Sequence, residues 1–219
     1  MKNYIYILLL SIAVCFEYSE KYYIAMDNAI SLFNSSETQD DFLIAANQFY
    51  RISQVVKTDW LSSYYYAYCN TEISMLQDDS DIKELYLDKA FEILEPFDLL
   101  NNQDIDSLAL SEIYTLRAMI YVGKIFINPM VNGMKYGPLS GKSIDKAKAL
   151  YPLNPRPYFL DGQSMFYTPS AFGGGLDKAR PLLAEAMELY RKFEAKKHWP
   201  DWGMEDCQYL YGKAVDSIE

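Results

Sequence analysis

The segment of this chain with the sharpest chemical suggestion is Gly137-Pro138-Leu139-Ser140-Gly141-Lys142-Ser143, because a phosphate loop also ends in Gly-Lys-Ser ahead of a helix whose amides cradle phosphate. The spacing speaks against it. A phosphate loop has four residues between its glycines and a buried strand before it, whereas here three intervene and the preceding segment carries Asn128-Pro129 and Asn132-Gly133. Ser143 is therefore expected to cap a helix, with the glycines turning a long connection from Asn128 to Lys142. A second candidate is the run Gly173-Gly174-Gly175, preceded by Tyr167, Pro169 and Phe172. Backbone amides and aromatic rings together can form a small ligand-binding notch there, so Tyr167, Phe172, Gly173, Gly174 and Gly175 are the candidate ligand-binding residues. The plainer expectation is that Phe172 pins the loop to the core while the glycines supply positive φ.

Other chemistry is sparse. Cys69 and Cys207 read as two small buried hydrophobes, with a disulfide between them as the alternative in an exported protein, and His198, the single histidine, reads as a partly exposed loop residue between Lys197 and Trp199. With one histidine and no Cys-x-x-Cys, no metal set can be assembled, and no cofactor motif occurs. Carboxylate pairs such as Glu185 with Glu188, or Asp78 with Asp79 and Asp81, fit solvated helix faces and turns. No Gly-x-Ser-x-Gly elbow is present, and no nucleophile stands beside a base, so an enzyme is not expected. Trp199-Pro200-Asp201-Trp202-Gly203 reads as a packed corner before the last helix, with a sugar-stacking platform as the minority alternative.

The elements that would position these residues are helices. From Ile105 to Ile127 apolar residues recur at three and four, and the same test supports helices at about 19–33, 39–57, 59–76, 81–96, 143–151, 156–167, 177–196 and 204–218. No strand pattern competes. Twenty tyrosines suit half-buried helix faces, where a ring packs and its hydroxyl reaches water. A formal charge of −10 argues against nucleic acid or an anionic membrane surface as partner. Residues 1–15 have the charged start and short apolar run of a signal peptide, too short to span a bilayer, leaving 16–219 as one helical-repeat domain. Cleavage after Cys15 predicts soluble export to the periplasm or cell envelope; a lipid anchor at Cys15, the only route to a membrane, and an uncleaved apolar first helix of a cytoplasmic protein are the alternatives.

Three helical stretches open alike, at Leu87-Asp88-Lys89-Ala90, Ile144-Asp145-Lys146-Ala147 and Leu176-Asp177-Lys178-Ala179. Ala179, Leu183 and Ala186 match the small-xxx-large-xx-small spacing of the second helix of a tetratricopeptide (TPR) repeat; Ala46, Tyr50 and Ser53 match it too, and Ala90, Leu94 and Phe97 fit in part. Asn154-Pro155 followed by Tyr158 and Gly162 resembles the opening of a first helix. The chain thus resembles the TPR-like superfamily, and its segment 143–203 resembles uncharacterised exported bacterial TPR-like proteins. The resemblance implies an all-α, right-handed α-solenoid of about four degenerate hairpins plus a C-terminal capping helix. It also implies a binding or scaffolding module, with protein or peptide favoured as partner. The alternative is a small-ligand-holding component of an envelope uptake system.

Overall fold

The computed structural model describes residues 20–57, 59–100 and 105–216, so the leader reading of residues 1–15, Cys15 included, lies outside the described residues. The described chain is all-helical, with no strand. Side-chain caps set most of the starts. After α1 (residues 20–34), α2 (Gln39–Val55) begins with a capping box in which Thr38 and Asp41 satisfy each other's backbone N–H groups. Asp59 caps α3 (Trp60–Met75), Asp79 caps α4 (Ser80–Leu94) and Asp106 caps α5 (Ser107–Ile127), each accepting from amides of the first turn. A 3-10 turn, Glu95–Leu99, follows α4.

The expected connection at 128–142 is instead helix. Asn128 caps α6 (Pro129–Leu150) by accepting from the Val131 amide, and Pro129 at the first helical position needs no amide partner. Gly137, Pro138 and Gly141 lie inside α6, so the helix is kept by its neighbour rather than by propensity. That neighbour is α5: Tyr136 stacks on Tyr121 at 6.0 Å, and the Ser140 hydroxyl donates to Ala118 O at 3.1 Å. Ser143 does not cap; it sits mid-helix, buried, and donates to Leu139 O at 2.9 Å. The Gly-Lys-Ser amides are thus helix-interior amides.

Asn154 caps α7 (Pro155–Tyr167), a 3-10 turn spans Ser170–Phe172, and α8 (Leu176–Tyr190) and α9 (Met204–Asp216) complete the chain. The helix expected to reach residue 196 stops at Tyr190, and residues 191–203 cross the molecule as an irregular strap. Consecutive helices pack: α2 on α3, α3 on α4, α5 on α6, α7 on α8, α8 on α9. α3 and α5 are the most enclosed, because each also meets a helix of another pair.

Two hydrophobic clusters result. The first, from α1 to α5, is built on rings: Phe49 stacks on Tyr65 at 4.9 Å and Phe33 meets Tyr65 edge-on at 5.4 Å. The second, from α5 to α9, is built on small and aliphatic residues, with Ala179, Leu183 and Ala186 fully buried. A Cβ on Gly162 would stand 2.8 Å from Leu183, so the glycine lets α7 and α8 approach. Glu185 and Glu188 face solvent, as expected for carboxylates on a wet helix face. In α2 the expectation fails by one position: Phe49 fills the core, while Tyr50 is 43% exposed. Cys69 and Cys207 are buried free thiols, and burial raises both above the ordinary cysteine range, which makes them packing atoms rather than nucleophiles.

Candidate functional site

The strap encloses a cavity of about 460 Å³ against α1 and α3. Asp27, Ile30, Phe33 and Asn34 of α1 form one side, Tyr65 of α3 the floor, and Ala195 to Trp199 with Asp201 and Trp202 the other side. Its size is that of small-molecule sites, and its lining is mixed, with aromatic and aliphatic faces matched by as many charged or polar side chains.

A buried polar centre beneath the strap holds it in place. Arg156, in the first turn of α7, is 1% exposed; it donates to Glu112 Oε1 of α5 at 2.9 Å and to Pro200 O of the strap. Its guanidinium lies between the rings of Phe193 and Trp202, at 5.0 and 5.6 Å. Asn154 orients it, accepting from the Arg156 amide while donating to the Ser111 hydroxyl at 3.0 Å. Burial pushes the Glu112 carboxyl up to about 7, with Arg156 pulling the other way; the guanidinium stays charged. Trp202 donates through Nε1 to the Tyr64 hydroxyl at 2.8 Å, and the Tyr190 hydroxyl donates to Trp202 O at 3.2 Å. Gly203 has φ +97°, and a Cβ there would stand 2.2 Å from the Tyr190 hydroxyl, so this corner requires glycine.

At the cavity wall His198 adopts φ +69°, the left-handed region that a non-glycine residue occupies only when its surroundings hold it there. His198 is a partly exposed loop residue, as the sequence predicts, but its side chain is only 5% exposed. Nε2–H donates to Asp27 Oδ1 at 2.5 Å, and the ring stacks on Tyr23 at 5.7 Å. Lys197 donates to the same carboxylate at 3.2 Å, and Lys196 to Asp106 at 2.8 Å. Hydrogen bonds from His198 and then Lys197 hold the Asp27 carboxyl below the usual range. Trp199 meets Trp60 edge-on at 4.7 Å, so the tryptophan corner is packed as expected and also lines the cavity.

The glycine-loop candidates sit elsewhere: none of the five lines this cavity. Gly173 and Gly175 have φ of +90° and +110°; Gly174 does not, and is required because a Cβ would stand 2.2 Å from Thr168 O. Phe172 is 83% exposed and Tyr167 66%, so Phe172 does not pin the loop to the core. Sequence reasoning missed Asp27, Phe33, Tyr65 and Arg156, all of which carry helical periodicity and no motif. The cluster Lys196-Lys197-His198-Trp199 was the available signal. Among the described residues no group of three or more His, Cys, Asp or Glu could hold a metal ion, and no helix is long and apolar enough to cross a membrane.

No protein-family model and no curated protein matches this chain. Among solved structures it is similar to the HusA haemophore from Porphyromonas gingivalis, at 28% sequence identity and a TM-score of 0.77, with the alignment covering 90% of this chain and 94% of that one.

Proposed function

We propose that this protein is an exported small-ligand carrier that takes haem, or a flat anionic tetrapyrrole like it, into the cavity between α1, Tyr65 and the strap. The observation that carries the reading is the likeness to a haemophore along nearly the whole chain. It supports the ligand-holding alternative over a protein or peptide scaffold. The cavity suits such a ligand: Phe33, Trp199 and Trp202 offer apolar faces, and Lys196 and Lys197 stand where ligand carboxylates need cations. His198 is the nitrogen base of the lining and Tyr65 the phenol. Burial raises the Tyr65 phenol far above its ordinary range, which disfavours the phenolate and leaves His198 as the group we assign to iron. The helical pairs are, in the same proposal, degenerate TPR-like hairpins arranged as a right-handed solenoid. Residues 1–15, read as a leader, support export.

Titration with ferric haem, followed at the Soret band, tests the reading. Saturable binding is expected. Ala195→Trp, which fills the cavity, and His198→Ala, which removes the base, should each weaken it by at least roughly tenfold. Absence of a saturable Soret change in the unmodified protein, or affinity unmoved by both substitutions, would overturn the assignment.

A further inference from the structure

In this structure the cationic side of the ligand cavity is already occupied by a carboxylate of the chain itself. Asp27 reaches across from α1 and takes both His198 Nε2, at 2.5 Å, and Lys197 Nζ, at 3.2 Å, one oxygen to each. These are two of the groups that an anionic, iron-bearing ligand would call on. The Asp27 side chain is half exposed, 50%. Of its two partners, His198 is fixed from the strap side, its side chain 5% exposed and its backbone in a conformation that its neighbours impose, whereas the Lys197 side chain is 70% exposed. A half-exposed carboxylate facing a constrained imidazole and an ammonium is the geometry of an internal stand-in for a ligand.

We infer that Asp27 is a built-in competitor of the ligand: its carboxylate holds His198 and Lys197 in the empty site and must leave them when an anionic ligand enters. The inference rests on the carrier reading above and adds a regulating residue to the same site. An exchange of this kind raises the threshold for capture. Weak or uncharged aromatic molecules cannot displace the carboxylate, whereas a ligand that brings both a carboxylate and a metal would replace both contacts at once, the proton on His198 Nε2 passing to Nδ1 or to solvent as that nitrogen is freed. Asp27 thus acts as a specificity-determining residue, selecting for ligands that offer charge as well as a ring.

The test is ferric haem binding by Asp27→Asn, an isosteric change at an exposed position, with Asp40→Asn as a control that removes one exposed charge away from the cavity. Two partly solvated contacts are lost, so Asp27→Asn should bind haem roughly fivefold more tightly than the unmodified protein, while Asp40→Asn changes little. If the unmodified protein binds haem and Asp27→Asn binds equally or less well, Asp27 is an orienting partner of His198; the competitor idea falls and the carrier reading stands. A tightening matched by Asp40→Asn is net charge alone and also overturns it. If no form binds haem, both fall together.

Discussion

The two irregular connections on either side of α8 have opposite characters. Residues 168–175 are tied mainly to themselves: Gly174 donates to Pro169 O at 3.2 Å, Gly175 to Met165 O at 2.8 Å, and Lys178 reaches back to Gly173 O at 2.6 Å. Their one aromatic ring, Phe172, is exposed. Residues 191–203 are tied to five other elements, through Asp27 of α1, Tyr64 of α3, Arg156 of α7, Tyr190 of α8 and the α5 cap Asp106. Their rings turn inward and enclose space. The difference teaches that glycine content marks where a chain can turn, while a binding wall needs buried side chains from elsewhere to hold it.

The strongest attempt to break this contrast removes the strap's anchor. Arg156→Met should leave Glu112 buried without its counter-charge and free Pro200 O, costing about 3 to 5 kcal/mol in urea unfolding. A loss below about 1 kcal/mol would mean that the strap is held by its aromatic contacts alone.

The same anchor should give stability a pH dependence that the glycine loop lacks. Burial raises the Glu112 carboxyl to about 7, so between its unfolded value near 4.5 and about 7 the native state binds a proton that the unfolded chain has released. Stability therefore falls as pH rises through that window, by up to about 3 kcal/mol, and is flat in this respect above it. Glu112→Gln should lack the decline when urea midpoints at pH 5 and pH 7.5 are compared. Parallel pH profiles for the two proteins would place the Glu112 carboxylate as comfortably ionised at Arg156.

The smallest effect is expected on the other side of α8. Phe172→Ala should change stability by less than about 0.5 kcal/mol, since its ring is solvated, and should leave haem affinity unmoved. A marked loss of haem affinity would return the binding role to the Tyr167 to Gly175 loop and reverse the comparison.

How far these features were legible follows from what kind of information each needs. Helical periodicity located α2 to α5, α7 and α9, and the small residues Ala179 and Ala186 were assigned to the correct face. The expected connection at 128–142 rests on Asn128-Pro129, Asn132-Gly133 and the later glycines as turn formers, although Asn128-Pro129 is the same junction that opens α7 at Asn154-Pro155. In α2 a one-residue error exchanged Phe49 for Tyr50, because both are aromatic and only the position of α3 distinguishes them.

The local sequence by itself determined the all-helical character, the capped starts at Asp59, Asp79, Asp106 and Asn154, and the burial of the two cysteines, because each depends on residues within a turn or two or on hydrophobicity alone. Only the tertiary structure decided that α6 persists through its glycines and proline, that α8 ends at Tyr190, and that His198 meets Asp27 from 171 residues away. Each of these depends on side chains that become neighbours only when distant helices pack. The cavity belongs to that second kind. Its walls come from α1, α3 and the strap, and the charge that holds the strap, Arg156, looks in the sequence like any solvated arginine at the start of a helix.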